Sequence, residues 1–98
     1  MNKYHLTNRA TRDLEEIWLF TNETWSEEQA DTYYHDLIKA IEEVAGHPMY
    51  LDKNYDEILP GLYRHICRKH LIFYHKVDDG IEVVRILHQN MDIYSKFG

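Results

Sequence analysis

An arginine in the middle of an apolar strand and a histidine at its end are the residues here with the clearest chemical potential. They stand in Ile81-Glu82-Val83-Val84-Arg85-Ile86-Leu87-His88, followed by Gln89-Asn90-Met91-Asp92. Metal-free cleavage of RNA needs a base, an acid and a cation for the phosphate. Arg64, Arg85 and His88 supply those types if adjacent strands bring them together, with Tyr63 and Tyr74 available to stack on bases. Arg85 and His88 are three apart, however, so on a regular strand they point to opposite faces, and only a bulge unites them. The competing reading makes Arg85 a structural ion pair with Glu82 or with an acid on a helix, and His88 a strand-end residue bonding backbone.

His65, Cys67, His70 and His75 fall within eleven residues. They form neither a C-x-x-C nor an H-E-x-x-H pattern, and no Gly-rich loop is present to cradle a phosphate. No metal and no cofactor is therefore expected. The single Cys67 has no intrachain partner for a disulfide, as suits a reducing compartment. No apolar run nears the roughly 20 residues that span a bilayer, and no signal peptide is apparent. The expected setting is cytoplasmic, with no membrane partner.

The 98 residues carry a net charge of −6, unevenly spread. Residues 1–60 hold five Lys/Arg against thirteen Asp/Glu, a balance of −8, and residues 61–98 hold six against four, a balance of +2. The first part is unsuited to nucleic acid, and the second suits an anionic partner. Sequence-specific nucleic-acid binding is not expected.

The elements that must position these residues follow from periodicity. Lys3–Thr7 reads as a short strand, with Thr7 capping the helix after it. Ala10, Leu14, Ile17, Trp18, Thr21 and Trp25 fall on one helical face, which leaves Asp13 among the outward residues. Ser26-Glu27-Glu28-Gln29 is a capping box for a second helix with Ala30, Tyr34, Leu37, Ile38, Ile41, Val44 and Ala45 on its stripe. Gly46 is placed for a left-handed helix end, and Pro48 blocks continuation. Residues 47–61 connect, with one helical turn near 55–58. Strands are predicted at 62–67, 70–77 and 81–88, and Asp78-Asp79-Gly80 marks the second hairpin.

The order is thus β-αα-βββ, one domain over residues 1–98 in the α+β class: an antiparallel sheet of four strands packed against an N-terminal helical hairpin. Neither face of the last two strands is cleanly polar. The face away from the helices is therefore expected to be an open, partly apolar docking groove around Arg85, the alternative being that the tail 90–98, with Met91, Ile93, Tyr94 and Phe97 as anchors, folds back and covers it.

Four groups of residues carry a family likeness: Thr7 with Ala10 and Asp13-Leu14; Phe20-Thr21 with Trp25; Leu71-Ile72-Phe73-Tyr74; and Val84-Arg85-Ile86-Leu87-His88 with Met91-Asp92. In this order and spacing the chain resembles the ParE branch of the RelE/ParE toxins. The resemblance implies a RelE/ParE-like fold and the toxin of a type II toxin–antitoxin pair. A cognate ParD-like antitoxin would neutralise it by wrapping it in a hetero-oligomer. The target it implies is DNA gyrase, poisoned by binding and without catalysis. The alternative is a RelE-like ribosome-dependent mRNA interferase, with Arg64, Arg85 and His88 as catalytic residues. The overall acidity and the lack of a RelE-type basic tail favour gyrase. Arg9, Arg12, Arg64, Arg68, Tyr74 and Arg85 are the antitoxin-binding candidates, and Arg85, His88, Met91 and Asp92 the target-binding ones.

Overall fold

The computed structural model describes residues 3–47 and 52–97. In chain order the elements are β1 (Lys3–Leu6), α1 (Asn8–Thr24), α2 (Glu27–Gly46), β2 (Lys53–Asn54), β3 (Tyr63–Cys67), β4 (His70–Val77), β5 (Gly80–His88) and α3 (Ile93–Phe97). The sheet has five strands in the order β1-β5-β4-β3-β2. The α1–α2 hairpin lies on one face. The expected α+β class and helical hairpin are both present, with β2 and α3 as additions.

Both helix starts follow from their caps. Thr7 Oγ1 accepts from the Ala10 amide at 3.1 Å, and Ser26 Oγ accepts from the Gln29 amide at 3.1 Å. Only Trp25 and Ser26 separate the helices, so α2 must fold back on α1. Gly46 does not take the left-handed conformation; it is the last helical residue, and the His47 amide closes the helix onto Glu43 and Val44 carbonyls. Pro48 lies outside the described residues.

The first core joins Ala10, Leu14, Leu37 and Ile41 of the helices to Ile72, Tyr74, Ile81, Val83 and Ile86 of the sheet. Each such aliphatic side chain contributes about 1.5–3 kcal/mol by leaving water. Two helix assignments shift by one residue. Tyr33, not Tyr34, packs against this core, and Asp13 is buried where an outward residue was predicted. Trp25 moves the other way and is 69 % exposed.

β1 runs parallel to β5, with Lys3 opposite Gly80 and Leu6 opposite Val83; the predicted antiparallel sheet is thus mixed. Connectivity permits it: the helical hairpin and β2–β4 all lie between β1 and β5, far more than the crossover that parallel pairing needs. β5 also carries a bulge. Phe73 pairs with Arg85 and Tyr74 with Val83, so Val84 is the extra residue. The strict alternation predicted for this strand therefore breaks: Ile81, Val83 and Ile86 join the helical core, while Val84 and Leu87 serve the opposite face.

That opposite face is not open, contrary to the sequence-based expectation. Tyr55, Leu62, Leu71, Phe73 and Leu87 form a second core there, with Ile58, Val84, Ile93 and Phe97 packed on it. Phe97 and Tyr55 each meet Phe73 edge-on, at centroid distances of 5.1 and 5.6 Å. The predicted turn near 55–58 is present, with the Ile58 amide on the Tyr55 carbonyl at 2.9 Å, and it is part of this cover.

Gly80 is fixed by its neighbour: a Cβ on it would stand 1.7 Å from the Lys3 carbonyl oxygen. Gly80→Ala is expected to destabilise the fold by about 2 kcal/mol or more, because backbone rather than a flexible side chain must yield. Urea denaturation of the variant beside the parent chain measures it.

Candidate functional site: a buried clasp beneath an open groove

The site is built on Asp13. α1 presents this carboxylate inward because it shares the face of Ala10 and Leu14. Its Oδ2 accepts from Arg85 Nε at 2.8 Å and from the Ile86 backbone amide at 2.9 Å, and Oδ1 accepts from Arg85 Nη2 at 3.1 Å. Arg85 Nη1 donates to the Lys96 carbonyl at 2.9 Å. One guanidinium thus ties α1, β5 and α3 together in a forked geometry that lysine does not reproduce. Arg85 is 8 % exposed. The hydrogen bonds that Arg85 donates to Asp13 raise the guanidinium pKa further above its ordinary value, so its charge is permanent.

The clasp occupies the part of β5 that β1 leaves uncovered, since β1 pairs only as far as Val83. Asp13 takes the Ile86 amide there, and Thr7 Oγ1 donates to the Val84 carbonyl at 2.9 Å. Two side chains from the start of the chain thereby satisfy backbone groups that an edge strand would otherwise expose.

Above the clasp lies a groove of about 1180 Å³ between the turn end of the helical hairpin and the ends of β4 and β5. Phe20, Trp25 and Met91 line it and are 67 %, 69 % and 45 % exposed. Arg9, Arg68, Lys69 and Lys96 also line it, against Glu16 and Glu28. Large apolar groups at the mouth of such a groove, with cations among them, are the composition of a protein-binding surface.

At one end of the groove Tyr33 Oη lies 2.6 Å from His70 Nδ1. Burial raises the Tyr33 pKa, so the phenol stays protonated. Burial and the neighbouring His88 push His70 down to about 4, so its ring is neutral near pH 7. The phenol and the neutral imidazole thus share one short hydrogen bond, whose donor is set by the imidazole tautomer. His88 meets the His70 ring edge-on at 5.3 Å, and its own Nδ1 accepts from the Asn90 amide at 3.1 Å. Arg68 lies over the Tyr33 ring and bonds Asp36 at 3.2 Å.

Of the residues proposed from sequence, Arg9, Arg68, Arg85, His88 and Met91 line this one groove. Arg85 faces it with its guanidinium already engaged by Asp13, the helix acid of the structural reading. Arg12 is exposed on α1 outside the groove, and Asp92 is exposed just before α3. Tyr74 is fully buried in the first core, with its hydroxyl on Asp52, and is not available as a surface contact. Arg64 lines a different cavity, with Asp52 and His65, and reaches Tyr55 Oη at 3.4 Å. Arg64, Arg85 and His88 are therefore not assembled as one site. The residues that sequence reasoning missed are Asp13, Tyr33, His70 and the two exposed aromatics Phe20 and Trp25. Asp13 had a signal: it stands three residues after Ala10 and one before Leu14.

A family model described as the ParE toxin of the type II toxin–antitoxin system, parDE, matches residues 4–93. The chain belongs to the ParE toxin family. Toxin ParE1 of Mycobacterium tuberculosis is 39 % identical over 93 residues, which are 94 % of each chain. Toxin ParE1 of Caulobacter vibrioides is 34 % identical over the full length of both. A solved structure titled as the chromosomal ParDE TA system from P. aeruginosa aligns with a TM-score of 0.73 over 90 % of this chain and 96 % of that one. At 16 % identity, that likeness concerns the fold. The protein is the toxin of a type II toxin–antitoxin system.

Removing one partner of the clasp leaves an uncompensated buried charge. Asp13→Ala is expected to cost about 3–5 kcal/mol in urea denaturation, and the paired replacement Asp13→Leu with Arg85→Met to recover much of it. His70 generates a pH dependence. Its folded pKa of about 4 lies below the ordinary 6.5, so between these values the unfolded chain binds more protons than the folded one. Its contribution to stability is complete above about pH 6.5 and is lost as the pH falls toward 4. His70→Gln should flatten that limb of a pH–stability profile.

Proposed function

We propose that the groove over the Asp13–Arg85 clasp seats the antitoxin, and that the free toxin acts by binding DNA gyrase rather than by cutting RNA. The observation that carries the first part is the cluster of Phe20, Trp25 and Met91, all exposed at one groove. An amphipathic helix fits such a surface by laying its apolar face between the aromatics. Acidic side chains of that helix would meet Arg9, Arg68, Lys69 and Lys96. An aromatic of this size, desolvated at the centre of an interface, is the usual kind of hot spot.

Binding is favoured over cleavage by the dispersal of the RNase candidates. Arg64 lies in another cavity, Arg85 is held in an ion pair, and Tyr74 is enclosed by the core. Poisoning a topoisomerase requires surface contacts and no assembled acid–base pair. Half-buried His88 and exposed Met91 and Asp92 are the groups proposed to make those contacts. The cytoplasm, where gyrase works, is the proposed setting.

Trp25→Ser and Phe20→Ser are each expected to weaken binding of the cognate antitoxin by about 10- to 100-fold. Isothermal titration measures this, and far-UV circular dichroism checks that the fold is kept. Purified gyrase assayed for supercoiling with added toxin should lose activity and accumulate cleaved DNA. Transcripts mapped by primer extension after toxin expression should show no new ends; new ends with gyrase unaffected would establish the RNase reading instead.

A further inference from the structure

His5, Glu82 and His75 stand in one row across three adjacent strands. His5 of β1 is the register partner of Glu82 in β5, and Glu82 is the partner of His75 in β4. Their neighbours Tyr4, Val83 and Tyr74 all face the helical core, so the three side chains point to the opposite face. They lie beyond the reach of the second core and are accessible to water. Directly opposed residues on neighbouring strands hold their Cβ atoms roughly 5 Å apart. Asp79, in the turn before β5, adds a second carboxylate, 3.8 Å from His5 Nε2 and 3.9 Å from Lys3 Nζ.

We propose that this row is a binding site for a divalent transition metal ion of the zinc class, with His5, Glu82 and His75 as protein ligands and water completing the coordination. Two imidazoles and a carboxylate are the donor set that borderline ions such as Zn²⁺, Co²⁺ and Ni²⁺ accept. His75 Nε2 and Glu82 Oε1 already aim at each other at 2.7 Å. Two donors on one tetrahedral ion at its usual bond lengths lie about 3.3 Å apart. Opening this pair by a fraction of an ångström admits the ion in place of the shared proton. His5 must turn from Asp79 toward Glu82. Among the described residues no three such donors converge as the side chains now stand. The site therefore forms on binding, and the sheet fixes the spacing while exposed side chains rotate.

The chemistry has a structural consequence. β1 is an edge strand of four residues, and an ion on the row would staple it to β4 across β5. An ion that binds the folded chain and not the unfolded one raises stability in proportion to the logarithm of its concentration. The other histidines of the sheet are engaged elsewhere: His70 and His88 have their Nδ1 atoms engaged by Tyr33 and by the Asn90 amide, and His65 is held by Asp52.

The test is a titration of the full chain, freed of any histidine tag, with Co²⁺ as the spectroscopic probe and Zn²⁺ as competitor. One equivalent of Co²⁺ should give a visible d–d absorption band that Zn²⁺ abolishes, and Zn²⁺ should raise the thermal midpoint. His5→Ala, Glu82→Ala and His75→Ala should each weaken binding about tenfold or more and remove the thermal shift, with circular dichroism unchanged. His88→Ala should keep both. Absence of the band, retention of binding in any of the three variants, or its loss in His88→Ala instead would overturn the proposal.

Discussion

The Asp13–Arg85 pair is the constraint on which the rest of the structure hangs. α1 from one part of the chain meets β5 and α3 from the other at two side chains, and each is held by a different atom. α1 contributes the carboxylate, β5 the guanidinium and the Ile86 amide, and α3 the Lys96 carbonyl. A buried ion pair is costly to desolvate, and its value lies more in geometry than in net stability. Here the geometry fixes three things together: the end of the sheet where β1 stops, the tilt of α1 over it, and the return of the C-terminal helix. The groove exists because those three are held apart and do not collapse onto one another.

Much of the fold was legible because local rules agreed with tertiary demands. The caps at Thr7 and Ser26, the Asp-Gly turn and the β-branched strands each pointed to the element that formed. Asp13 was assigned to solvent on polarity although 10, 13, 14 and 17 form one face, and Trp25 fitted the helical spacing but stands as the C-cap, past the end of that face. A charged residue enters such a face only when an opposite charge waits inside, and the mid-strand Arg85 was that charge. The bulge at Val84 left no comparable trace, because Val-Val pairs suit a regular strand equally well. Without the bulge the face assignments of Arg85, Ile86 and Leu87 all invert.

The two faces of the sheet are closed by different means. The helical hairpin seals one with aliphatic side chains. The other is sealed by the segment at 55–62 and the five-residue α3, using aromatics and no fully buried helical residue. Phe20 and Trp25, the most exposed of the large apolar side chains, project instead at the turn of the helical hairpin.

The pairing of β1 with β5 also sets an order of events during synthesis. The first strand cannot find its place until the last has been made, because its hydrogen-bonding partner begins at Gly80. The Thr7 hydroxyl and the Asp13 carboxylate likewise wait for Val84 to Ile86. A nascent chain shorter than this has two amphipathic helices and a hairpin but neither the clasp nor the groove above it. The clasp and the groove thus come into being only once β5 and α3 have been synthesised.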